Sequence, residues 1–148
     1  MWEKFSQSLF KKTVQQSNTP SRCVLYIDDN ELQLKLIERN LSKKKYRVLL
    51  AENGLKGIEI ARKERPDIIL LDIVLPGING IEVCKKLKND PQTKDIPVLF
   101  LSGSDAPQNI LDCYEFGAEN YLNKSISPHE LVKQIELTIK EQDLFQST

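Results

Sequence analysis

Asp28-Asp29, Asp72, Ser102 and Lys124 are the residues of this sequence that could do chemistry together, because each stands where an apolar run stops. The clearest case is residues 67–80, Asp-Ile-Ile-Leu-Leu-Asp-Ile-Val-Leu-Pro-Gly-Ile-Asn-Gly, where an unalternating Ile/Leu run delivers a single carboxylate, Asp72, before Pro76 and Gly77 break the chain. Such a run fits a strand buried on both faces of a parallel sheet, which puts Asp72 at the strand's carboxyl end, the edge where open α/β sheets bind ligands. An aspartate closing a strand is by itself often a turn former, so its reading as the reacting group depends on partners. Three carboxylates gathered at one edge would repel and raise at least one pKa unless a hard divalent cation neutralised them. Oxygen donors without His or Cys nearby suit Mg²⁺, and few protein ligands leave waters to exchange for phosphate oxygens. The expected chemistry is phosphoryl transfer. Asp72 is the nucleophile, Mg²⁺ and Lys124 neutralise the equatorial oxygens, and the Ser102 hydroxyl bonds one of them.

These residues need elements that converge. Residues 23–27 read as a buried strand ending at Asp28, and Leu32, Leu34, Leu36, Ile37 and Leu41 mark a helix with a broad apolar face, capped by Asp29 or Asn30. A second strand over 46–51 precedes a helix over 53–65, with Leu55, Ile58, Ile60 and Ala61 inward and Pro66 as its stop. After the Asp72 strand, Ile81, Val83, Cys84 and Leu87 mark a helix ended by Pro91, and 96–101 is another near-continuous apolar strand closing on Ser102. A helix over 107–116, with Ile110, Leu111 and Tyr114 inward, leads to a short strand over 120–122 that runs into Lys124. Ser127-Pro128-His129-Glu130 then opens a last helix with Leu131, Ile135, Leu137 and Ile139 on its apolar side. Five strands alternating with five helices predict right-handed crossovers and an α/β, flavodoxin-like, doubly wound parallel sheet of order 2-1-3-4-5 with helices on both faces.

Composition narrows the classes of function. The 148 residues, 40% hydrophobic and 28% charged, suit one globular domain, and 21 basic against 21 acidic residues leave no net field to hold nucleic acid or an anionic membrane. Cys23, Cys84 and Cys113 are odd in number and widely separated, which argues against a disulfide framework or a metal cluster. No apolar run reaches membrane-spanning length, and the amino terminus lacks a signal-peptide core, so a cytoplasmic location is expected by elimination. Residues 1–20 read as an extension: Trp2, Phe5, Leu9, Phe10 and Val14 recur at roughly helical spacing before a polar linker. The domain itself is expected over 21–142, with 143–148 as a tail.

Over residues 22–141 the sequence resembles the receiver domain of two-component response regulators, in its chemotaxis-regulator-like, single-domain form. Asp28-Asp29 looks like the family's acidic pair for Mg²⁺, and Asp72 like its phosphoacceptor. Ser102 fits the Thr/Ser switch position, Lys124 the family's lysine, and Tyr121 the aromatic that changes rotamer on activation. The resemblance implies a phosphoryl group taken from a phosphohistidine on a histidine kinase or phosphotransfer protein, and the backbone carbonyl of Val74 as a further metal ligand. It also implies output to a protein partner through the fourth helix, fifth strand and fifth helix, while the charge balance argues against direct nucleic-acid contact.

The chain departs from the family where Ser125 follows the lysine in place of the common proline, so the Lys124-Ser125 bond is expected to be trans, the cis form costing roughly 3–4 kcal/mol. Val74 offers no acid or amide to position water, which suggests slow self-dephosphorylation. Two other classes compete with the switch: a receiver-like binding module that is never phosphorylated, and a Mg²⁺-dependent phosphatase, which would need an acid where Val74 stands. His129 and the run Lys43-Lys44-Lys45 read as solvated helix ends, and the Gly54 and Gly77 regions lack nucleotide-loop spacing. Too few residues follow Thr138 for an effector unit, leaving a stand-alone regulator or a receiver from a longer chain.

Overall fold

The structure, a computed structural model, describes residues 21–103 and 106–146; the amphipathic pattern in residues 1–20 lies outside them. Five strands, β1 (Cys23–Ile27), β2 (Arg47–Ala51), β3 (Ile68–Leu71), β4 (Val98–Ser102) and β5 (Asn120–Asn123), pair in parallel in the order β2-β1-β3-β4-β5. Between and after them run α1 (Glu31–Lys43), α2 (Gly54–Glu64), α3 (Gly80–Lys88), α4 (Pro107–Glu115) and α5 (Pro128–Gln146). The unalternating strands are buried end to end, every residue of β1, β3 and β4 included, as expected where helices cover both faces.

Each face has its own core. Leu25, Ile27, Ile69, Leu71, Val98 and Phe100 pack under α2, α3 and α4, and Val24, Tyr26, Ile68, Leu70, Leu99 and Leu101 under α1 and α5. Helix starts are local in origin. Asn30, Asn53 and Asn79 cap α1, α2 and α3 by accepting the amide three residues on, and the Ser127 hydroxyl does the same for α5. At α1 the cap is therefore Asn30, which leaves the Asp29 carboxylate at the sheet edge.

Several apolar residues expected inward point outward. Leu55 is 66% exposed, Leu111 63%, Tyr114 47% and Leu137 44%. The buried stripe of α2 is Gly54, Gly57, Ile58 and Ala61, so Leu55 is one 100° step off it; the buried set of α5, Leu131, Val132, Ile135, Thr138 and Ile139, likewise turns Leu137 away. Leu32 and Leu36 lie outside the buried Leu34, Ile37 and Leu41 of α1, so its apolar face is narrower than the sequence suggests. In α4 only Cys113 is buried, and Tyr114 directs its hydroxyl to Asn120 at 3.0 Å. Helix α5 continues through residues 143–146, and Asp143 pairs there with Arg22 at 2.6 Å. All three cysteines are buried free thiols, and among the described residues no helix is long and apolar enough to cross a membrane.

Candidate functional site

Strand register brings the carboxylates together. Ile27 pairs with Leu71, and the next residues, Asp28 and Asp72, leave β1 and β3 side by side, with the Asp72 amide donating to the Ile27 carbonyl at 3.0 Å. One residue on, Asp29 adds an exposed carboxylate, and oxygens of Asp28, Asp29 and Asp72 lie within 4.8 Å of one another. Gly80 permits this edge to close: it opens α3 with its Cα against the Asp72 carbonyl, into which any Cβ would run.

Lys124 comes from the far side of β4. Ser102 pairs with Asn123, and the Lys124 amide donates to the Ser102 carbonyl at 3.0 Å, so the lysine leaves β5 at the same sheet edge. Its ammonium lies 2.8 Å from Asp28 Oδ2 and 2.7 Å from Asp72 Oδ2, bridging the two buried carboxylates. Burial alone would lower the pKa of this ammonium, but hydrogen bonds to Asp28 and Asp72 and their charges outweigh that and hold it above the usual lysine value. The Lys124-Ser125 bond is trans, as the sequence led us to expect, and the loop is held by Asn123, whose Oδ1 accepts both the amide and the hydroxyl of Ser125 at 2.8 Å.

The remaining expected residues are placed as follows. Ser102 is buried at the end of β4. Tyr121 pairs with Phe100 and is half-buried against the core under α2, α3 and α4. Val74 is 67% exposed, its amide 3.4 Å from Asp72 Oδ1. His129 lies in the first turn of α5, next to Glu130.

Two residues of the site are not evident in the sequence pattern. The Asn30 amide donates to Asp28 Oδ1 at 2.9 Å, and the Tyr26 hydroxyl to Asp28 Oδ2 at 2.5 Å. Burial first, then the Asp28 hydrogen bond, push the Tyr26 pKa far up, so the hydroxyl remains a donor at every physiological pH. Tyr26 hides in the sequence as one more apolar position of β1. Its signal is the period-two spacing, which puts it on the same face as Asp28.

Asp28 and Asp72 share one ammonium, Asp29 adds a third carboxylate, and the donor set is all oxygen, which fits a small hard cation such as Mg²⁺ held by Asp28, Asp29 and Asp72. A doubly wound sheet with an acidic pair, a lone aspartate and a lysine at its carboxyl edge defines a narrow class of protein. The chain belongs to the response regulator receiver domain family of two-component systems, whose model matches residues 24–136. It is 39% identical over 103 residues to Response regulator PleD of Caulobacter vibrioides, a match covering 70% of this chain and 23% of PleD. It is 36% identical over 112 residues to Protein PilH of Pseudomonas aeruginosa, covering 76% of this chain and 93% of PilH. A solved structure, a putative response regulator from Chloroflexus aurantiacus, superposes with a TM-score of 0.77 at 30% identity, over 81% of this chain and 98% of that one. The chain thus spans about a quarter of PleD and nearly all of PilH.

Proposed function

We propose that this protein is a phosphorylation-activated switch of a two-component phosphorelay, with Asp72 as the residue that accepts the phosphoryl group. The observation that carries this reading is the Lys124 ammonium held 2.7 Å from Asp72 and 2.8 Å from Asp28, with Asp29 beside them at the mouth of the site. A carboxylate oxygen of Asp72 attacks the phosphorus of a phosphohistidine on a kinase or phosphotransfer protein; the P–N bond breaks, and the imidazole leaves and is reprotonated. The product is an acyl phosphate on Asp72, removed later when water attacks phosphorus. Lys124 already lies on Asp72, so it can follow the charge onto the incoming oxygens without a large rearrangement. Mg²⁺, held by Asp28, Asp29, Asp72 and the Val74 carbonyl, would supply further charge neutralisation on the phosphoryl oxygens.

Ser102 and Tyr121 carry the signal outward. The Ser102 hydroxyl bonds a phosphoryl oxygen, and Tyr121, packed in the layer under α4, turns inward as that residue shifts. The surface that changes is that of α4, β5 and α5, where a downstream protein binds. Helix α4 suits such a role: it buries only Cys113, and Ala106 gives it no side-chain cap, so its position is weakly held. The absence of a membrane-spanning helix among the described residues accords with work in the cytoplasm.

Incubation with a small-molecule phosphodonor and Mg²⁺ tests the reading. One phosphoryl group per chain, lost on chelation of Mg²⁺ before the donor is added, is the expected result. No labelling would mean a binding module, and repeated turnover of an added phosphomonoester would mean a phosphatase.

A further inference from the structure

Tyr26 is fully buried in the layer beneath α1 and α5, among Leu34, Ile37, Leu41 and Leu131. Those neighbours are all aliphatic and offer the ring no polar partner, so packing explains the ring and leaves the hydroxyl to be explained. The hydroxyl reaches along the strand to Asp28 Oδ2 at 2.5 Å, and the same oxygen accepts the Lys124 ammonium at 2.8 Å. Oδ1 accepts the Asn30 amide at 2.9 Å. A carboxylate offers about four acceptor sites, so three are filled from within the protein, two of them on Oδ2, and the remaining one belongs to Oδ1.

We infer that Tyr26 is a positioning residue of the acidic site: its hydroxyl fixes the Asp28 carboxylate so that one oxygen is occupied and the other is presented to the cation, and it sustains that carboxylate when Lys124 moves to the phosphoryl group. The inference rests on the phosphoacceptor reading above. Asp28 has no solvent exposure, so its charge needs donors from the protein. With Lys124 following the charge onto the phosphoryl oxygens, the donors left to Asp28 among those described are the Tyr26 hydroxyl and the Asn30 amide. A phenyl ring in place of the tyrosine would leave Asp28 dependent on Lys124, which would tie the ammonium down and loosen the orientation of the metal ligand.

Loss of a hydrogen bond that orients a metal ligand commonly weakens metal affinity by about 10- to 100-fold. The test is Mg²⁺ titration of wild type and Tyr26→Phe, by calorimetry and by the amide shifts of Asp28, Asp29 and Asn30, with no phosphodonor present. The expected result is a Kd about 10-fold weaker in the variant, with native-like spectra outside the site. Equal Kd values in the two folded proteins would overturn the inference, even if the variant melts earlier, since a merely structural hydroxyl would move the melting temperature alone. Failure of the wild type to bind Mg²⁺ would instead defeat the phosphoacceptor reading and this inference with it. Should Tyr26→Phe not fold, the Tyr26 hydroxyl proton of the wild type is followed directly. A resonance that shifts with the same Mg²⁺ midpoint as Asn30 supports the inference, and one that does not respond overturns it.

Discussion

Asp29→Asn should make the metal-free protein more stable than wild type, and saturating Mg²⁺ should reverse that order. Asp29 contributes an exposed carboxylate whose oxygen lies within 4.8 Å of oxygens of both Asp28 and Asp72, and the Lys124 ammonium is engaged by those two rather than by Asp29. At that separation each like-charge pair costs about 0.9 kcal/mol in a water-like medium and about 3.5 kcal/mol at an effective dielectric of about 20. Asp29 is open to solvent and ions, so the lower figure governs, and removing two repulsions stabilises by about 1–2 kcal/mol. In a domain of this size that is a rise in Tm of roughly 3–8 °C in a chelator. With saturating Mg²⁺ the order reverses, because wild type gains binding energy through a ligand the variant lacks. Thermal melts of both proteins in chelator and in Mg²⁺ provide the four values needed. An Asn variant that is less stable than wild type in chelator, or equally stabilised in both buffers, would refute the electrostatic reasoning.

Other perturbations probe the frame around the site. Gly80→Ala should destabilise by about 1–3 kcal/mol or more, since its Cβ meets the Asp72 backbone carbonyl, and urea denaturation would show it as a lower midpoint at unchanged slope. Burial pushes the Cys84 thiol up to about 11 and that of Cys113 up to about 12, so native protein should resist thiol reagents at neutral pH. Because both folded pKa values lie above the unfolded value of about 9, their contribution to stability is intact below about pH 9 and is lost as pH rises through about 11 to 12. Alkaline melts that show no decline across that window would contradict it. Ser102→Ala and Tyr121→Ala should each shrink the beryllofluoride-induced NMR shifts on α4, β5 and α5, with Mg²⁺ affinity unchanged in Tyr121→Ala; full-sized shifts in both variants would sever the route from Asp72 to that surface.

How much of this was legible depends on what each residue type can signal. Asp28, Asp72, Ser102 and Lys124 stood out because each ends or follows a greasy strand, and a parallel sheet gathers such ends at one edge whatever the loops do. The strand pattern likewise led to the observed five-stranded order. Leu55, Leu111 and Leu137 were misplaced because apolar residues side by side on a helix leave its rotation open by a 100° step, which only packing against the sheet decides. Asp29 and Asn30 could each have capped α1, and the choice rests on backbone geometry that residue type does not carry. Tyr26 was illegible for a different reason: a tyrosine inside a fully buried run reads as core until its hydroxyl is seen on Asp28.

The central claim is that Asp72 takes the phosphoryl group. Intact-mass spectrometry of wild type and Asp72→Asn, after incubation with a small phosphodonor and Mg²⁺, tests it most directly, with circular dichroism confirming that both are folded. Wild type should carry one alkali-labile phosphoryl group and Asp72→Asn none, since the change removes the nucleophile at nearly constant volume. Equal labelling of the two proteins, or an acid-labile but alkali-stable adduct elsewhere in the chain, would contradict it.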